Sequence, residues 1–221
     1  MMKQHERGFT LLELAIVLVI IGIILGAILK GQELINNAKA KRLLNDIKGL
    51  ATLHYTFYDR YGRFPGDCDG DGDVDYITLN AVPGSFTATS GAFCYTPASP
   101  TANTTANPQW QELLQAQLVS FSNARDVAKH SFSGALYAAG PAVGAGAGAV
   151  NYNVIVARQV PCFAAKVVDM AIDGSLDAGT GSVREIAPVN RLTTVGADAW
   201  TACTTEQTLV DIIYLFDRRP N

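Results

Sequence analysis

Two sets of acids in this sequence could do chemistry, and they need different partners. In "RFPGDCDGDGDVDYITL", Asp67, Asp69, Asp71, Asp73 and Asp75 fall on every second position. The first three, with Gly72 following, match positions 1, 3, 5 and 6 of a D-x-D-x-D-G loop, whose oxygens surround a calcium ion. In that register Asp73 offers its carbonyl, Val74 an apolar side chain and Asp75 a direct or water-mediated ligand. Position 12, usually a bidentate acid, is Thr78. Five acids in nine residues repel one another unless a cation intervenes, although Asp-Gly repeats also make plain solvated turns. The expected cofactor is therefore calcium, bound weakly, with Kd of about 10⁻⁴–10⁻³ M as in extracellular modules. The second acid stands alone. Glu13 lies in "RGFTLLELAIVLVIIGIILGA", an apolar stretch with no Lys or Arg from Phe9 to Leu29. An ionisable group in such a run is functional by default and requires a counter-charge.

Other chemistries find little support. The three histidines (His5, His54, His130) are far apart, and no G-x-S-x-G elbow, P-loop or dinucleotide fingerprint occurs. No enzymatic activity is expected. Cys68, Cys94, Cys162 and Cys203 form no CxxC and no CxxCH, which removes zinc-ribbon and c-type haem readings. Behind a membrane segment, an even set of scattered cysteines implies two disulfides in an oxidising compartment. Four cysteines allow three connectivities. Cys68–Cys94 with Cys162–Cys203 closes the shortest non-crossing loops and is the favoured pairing. The net charge of −3 over 221 residues suggests neither nucleic acid nor an anionic surface as a partner.

The elements that position these residues follow from periodicity. Phe9 to Leu29 would span about 31 Å as a helix, against a hydrocarbon core of about 30 Å. Gly22 and Gly26 form a G-x-x-x-G pair, which lets membrane helices approach closely. Beyond it Leu43, Ile47, Leu50, His54, Phe57 and Tyr61 recur at spacings of four and three, an amphipathic stripe on a continued helix. His54 reads as a packed core histidine. Gly62 is a plausible stop, and Pro65 ends any helix. Three segments result: 1–8, a basic leader; 9–62, one long helix with 9–29 transmembrane; and 63–221, a globular head.

The segment "RGFTLLELAIVLVIIGIIL" resembles the processing and methylation segment of type IV pilin-like proteins, the type IV pilins and the pseudopilins of type II secretion. Gly8, Phe9, Thr10, Leu11, Leu12 and Glu13 fill that pattern without a gap. The resemblance implies cleavage by a prepilin peptidase between Gly8 and Phe9, and methylation of the new Phe9 amine. It also implies that Glu13 serves membrane extraction and subunit registration, its counter-charge being the Phe9 ammonium of a neighbouring copy. The implied fold is α+β: a long N-terminal helix packed on a head with an antiparallel sheet. The implied role is a structural subunit of a type IV pilus-like filament. A pseudopilin and a minor, tip-located binding subunit are the alternatives. Its partners would be the peptidase, copies of itself and other pilin-like subunits, and the inner membrane. The head's ligand, whether a surface, DNA or a protein, stays open. Such a chain sits in the inner membrane as a single-pass protein with its head in the periplasm, then in an extracellular filament or a periplasmic pseudopilus.

Within the head, 80–107 reads as a Thr/Ala/Ser/Pro-rich loop, and Asn107-Pro108 as the start of a helix, "PQWQELLQAQLVSF". "NVIVARQV" and "LVDIIYLF" read as strands and Pro161 to Met170 as a short helix. "KVVDMAIDGSLDAGTGSVR" resembles the helix, Asp-Gly loop and strand that close the head in some pilin-like proteins.

Overall fold

The structure is a computed structural model that describes residues 11–74, 94, 108–120, 129–140, 152–177, 181–186, 200 and 203–218. The elements in chain order are α1 (Leu11–Tyr61), α2 (Pro108–Gln115), β1 (Leu136–Ala139), β2 (Tyr152–Pro161), α3 (Cys162–Asp173), β3 (Val183–Ile186) and β4 (Leu209–Arg218). The chain divides into two compact units, 1–38 and 39–221.

In the first unit α1 is uninterrupted through Gly22, Gly26 and Gly31, and every residue from Leu11 to Lys30 is exposed in the isolated chain. Apart from Glu13, its side chains from Leu11 to Leu29 are apolar all round, as a lipid-facing helix requires.

In the second unit the character of α1 changes. Ala40, Leu43, Ile47, Leu50, His54 and Phe57 are buried at helical spacing. The stripe stops one turn earlier than its periodicity suggests. Tyr61 is 42% exposed, and its ring lies against Phe57 at 4.4 Å instead of entering the core. Gly62 ends the helix with φ +73°, and its N–H donates to the Tyr58 carbonyl at 2.8 Å. A left-handed residue here costs glycine little.

The four strands form an antiparallel sheet in the order β1-β2-β4-β3, so the fold is α+β. Alternate residues of the central strands serve opposite faces. Ile155, Ala157, Val183 and Ile212 join α1 and α3 in the main core, while Val154, Val156, Ile213, Tyr137 and Ala139 form a second cluster. β2 carries register shifts at Asn153/Val154 and Ala157/Val160. At the second, Gln159 takes φ +57°, and Asp211 accepts from its N–H at 2.7 Å and from Arg158 Nε at 3.1 Å.

Two helices differ from their sequence reading. α2 ends at Gln115, short of the expected run to Phe121, because Gln117 turns left-handed (φ +56°) and the Leu118 N–H closes back on the Leu113 carbonyl at 3.0 Å. α3 runs past Met170 to Asp173 and stops at left-handed Gly174. β1, a four-residue LYAA strand, has no counterpart in the sequence reading. Its Ala138 exchanges two hydrogen bonds with the buried side-chain amide of Gln109 on α2, the carbonyl accepting at 2.9 Å and the N–H donating at 2.8 Å.

Candidate functional site

The N-terminal site is positioned by α1. Gly8 and Phe9 lie outside the described residues. Glu13 sits in the first turn of α1, where the helix dipole favours a carboxylate. Around it Leu11, Leu12 and Leu14 are 91%, 70% and 53% exposed, so an acid is set in an otherwise apolar surface.

The acidic turn begins directly after α1. Asp67 is fully buried, and its two carboxylate oxygens accept from Gly70 N at 2.7 Å and Gly72 N at 3.0 Å. Asp69 accepts from Asp71 N at 3.1 Å, and Asp71 from Asp73 N at 2.7 Å. These bonds wrap the chain around one point, and Gly70 and Gly72 make the wrap possible with φ of +79° and +91°. Carboxylate oxygens of Asp67, Asp69 and Asp71 come within 4.8 Å of one another. Asp73 enters through its N–H, and Asp75, like Thr78, lies outside the described residues. Burial pushes the Asp67 carboxyl up to about 6; the Asp71 and Asp69 charges add to this, while the Gly70 N–H and Arg63 oppose it. Such a group gains from a cation, and three convergent carboxylates offer the hard oxygen donors that calcium takes.

Two anchors that the sequence reading missed hold this turn. Asn153 at the β2 bulge is fully buried; it accepts from Val74 N at 2.9 Å and donates to the Gly72 carbonyl at 3.0 Å and to Asp217 Oδ2 at 3.0 Å. On the other side Arg63 and Glu112 form a buried, two-pronged ion pair at 2.8 and 2.6 Å. Arg63 also donates to the carbonyls of Phe64 and Asp67, at 3.1 and 3.0 Å, and its guanidinium lies over the Phe57 ring. Glu112 further accepts from Gly66 N at 2.7 Å and Cys94 N at 2.9 Å. Cys68 is bonded to Cys94, and Cys162 to Cys203. Arg63 and Glu112 are 49 residues apart, so no local signal links them.

Among known proteins, the family model of the prokaryotic N-terminal methylation motif matches residues 3–29, which include Gly8, Phe9 and Glu13. No curated protein and no solved structure matches the chain.

Proposed function

We propose that this chain, which carries the N-terminal methylation segment of the type IV pilin and pseudopilin class, is a structural subunit of a type IV pilus-like filament. The segment points to a substrate of prepilin peptidase and to a structural protein rather than an enzyme. With the apolar helix behind it, it fits a single-pass protein of the inner membrane. In the proposed cycle the peptidase cuts between Gly8 and Phe9 and methylates Phe9, and α1 then leaves the lipid for a bundle of identical helices.

The observation that carries this reading is the match at residues 3–29 laid over a helix whose first 20 described residues are all exposed. Lipid covers that surface before assembly and neighbouring copies cover it afterwards. Glu13 supplies the register. In a helix bundle closed to water its charge requires an opposite one, and the Phe9 ammonium of the next copy provides it at the right depth. The test is the intact mass of the filament protein. It should correspond to loss of residues 1–8 and gain of one methyl group; a filament subunit still carrying Met1 to Gly8 would sink the reading.

For the acidic turn we propose calcium, held by Asp67, Asp69 and Asp71 with Asp73 and Asp75 completing the set. The convergence of the first three carboxylates and the raised Asp67 pKa support it.

A further inference from the structure

Glu112 is a buried carboxylate whose hydrogen-bonding capacity is completely used. An ionised carboxylate has about four lone-pair sites. Here Oε1 takes Arg63 Nη2 and Cys94 N, and Oε2 takes Arg63 Nη1 and Gly66 N. Glu112 is 1% exposed and Arg63 8%, so water has little access to replace a donor that leaves. Three of the four donors come from Arg63 and Gly66, which follow α1 directly. The fourth comes from Cys94, which is 26 residues beyond Cys68 in sequence and is brought back to it by the disulfide, Cα to Cα 5.0 Å.

We propose that Arg63, Glu112 and the Cys68–Cys94 bond form one redox-gated latch. Oxidation delivers the last donor to a buried carboxylate, and so locks together the end of α1, the acidic turn and α2. In the reduced chain the Cys94 N–H must be ordered without a covalent tie, and whenever it departs Glu112 keeps a buried lone pair with no donor. That state is disfavoured because desolvation of the carboxylate is then uncompensated. Linkage makes the effect reciprocal: whatever the disulfide contributes to the ion pair, the ion pair contributes to the disulfide. The junction of α1, the acidic turn and α2 would therefore be loose in a reducing compartment and close on reaching an oxidising one. Cys162–Cys203 touches none of these groups among the described contacts, and serves as the internal control.

Opening the latch with a dithiol is a balanced two-electron exchange. One reagent thiolate attacks a sulfur of Cys68–Cys94, forming a mixed disulfide and expelling the other cysteine as a thiolate. The second reagent thiolate displaces the remaining cysteine and closes the reagent's own disulfide, leaving two cysteine thiols after protonation.

The experiment titrates the full chain in detergent micelles against defined ratios of reduced to oxidised dithiothreitol, then alkylates free thiols and maps them by peptide mass. In Glu112→Gln, Cys68–Cys94 should be reduced at a ratio lower by about tenfold or more, the worth of a hydrogen bond to a charged group. The Cys162–Cys203 midpoint should stay where it is. Equal midpoints for Cys68–Cys94 in the two proteins, or parallel shifts of both disulfides, would overturn the latch. Should Glu112→Gln fail to fold, Cys94→Ser reads the coupling from the other side. Hydrogen exchange at the Gly66 amide should then accelerate at least tenfold, while the β4 amides of Ile212 and Ile213 keep their protection. Unchanged Gly66 exchange would equally overturn it.

Discussion

His54 offers a test of the core through pH. It is fully buried on α1, its ring edge-on to Phe216 at 5.5 Å. Nδ1 lies 2.8 Å from the Leu50 carbonyl, which makes Nδ1 the protonated nitrogen of the neutral ring. Nε2, the acceptor nitrogen, faces the side-chain amide of Gln109, which is held in place by its two bonds to Ala138. Burial lowers the imidazole pKa from 6.5 to about 4, the Leu50 carbonyl and the nearby Gln109 amide opposing it. The unfolded chain therefore takes up the proton first. Stability from the neutral ring is in place above pH 6.5 and drains away as pH falls toward 4. At about 1.4 kcal/mol per unit, the loss reached by pH 4 is about 3 kcal/mol, or roughly 6–12 °C in Tm for a chain of this size. Asp67 and Asp169 run the other way. Burial first, and neighbouring aspartates after it, raise both to about 6, so acidification through 6 toward 3.8 favours the folded state. The wild-type curve alone is then a difference of opposing slopes. His54→Leu separates them: similar in volume, it should sit within about 1 kcal/mol of wild type at pH 7, because the Leu50 carbonyl stays in the backbone ladder of α1 and Gln109 stays bonded to Ala138. Melting of the full chain in detergent at pH 7, 5.5 and 4, followed by near-ultraviolet circular dichroism, should show the wild type losing roughly 6–12 °C more than the variant. Parallel losses would refute the reasoning.

Three further outcomes follow from the same geometry. Glu13→Ala should insert into the membrane as well as wild type or better, yet enter filaments poorly, because a neighbour's Phe9 ammonium loses its partner in an apolar bundle; normal filaments in electron micrographs would contradict this. Millimolar calcium should raise the Tm of the full chain in detergent and shield the acidic turn from proteolysis, magnesium less so because it holds its waters. Asp69→Ala with Asp71→Ala should remove that response, and an unchanged wild-type melt would reduce the turn to a solvated one. Asn153→Ala, which strands the Val74 N–H and the Gly72 carbonyl, should cost about 2–4 kcal/mol in denaturant titration; a loss under 1 kcal/mol would show that water replaces the amide.

What could be read from the sequence is what depends on neighbours in the chain. The stripe Leu43, Ile47, Leu50, His54 and Phe57 declares itself by spacing, and Gly62 with Pro65 marks where α1 stops. β2 and β4 stand out because they are long and rich in Val and Ile. The alternating aspartates announce their turn because every hydrogen bond inside it spans five residues or fewer. The unread parts depend on distant partners. β1 is only Leu-Tyr-Ala-Ala, too short and too rich in alanine for a period, and it exists because β2 and Gln109 pair with it. Tyr61 keeps the helical spacing of the stripe, but Phe57 takes its ring on the surface. The anchors of the acidic turn, Asn153 and the Arg63–Glu112 pair, join residues 79 to 81 and 49 positions apart, and nothing local distinguishes them from other polar residues.

The Gln109 amide has a consequence for life at high local concentration. Among the described strands β1 lies at one margin of the sheet, and an open margin is a template on which another chain can add a strand. By bonding both the N–H and the carbonyl of Ala138, Gln109 occupies two of the backbone groups that an intruding strand would use. At Ala138 one side chain thus does what a further strand would do, without creating a new margin beyond it. A chain whose proposed work is to gather many copies side by side needs those copies to join through their helices and not through their sheets. For such a chain, a Gln109 bonded to Ala138 leaves less of this margin open to a neighbouring head.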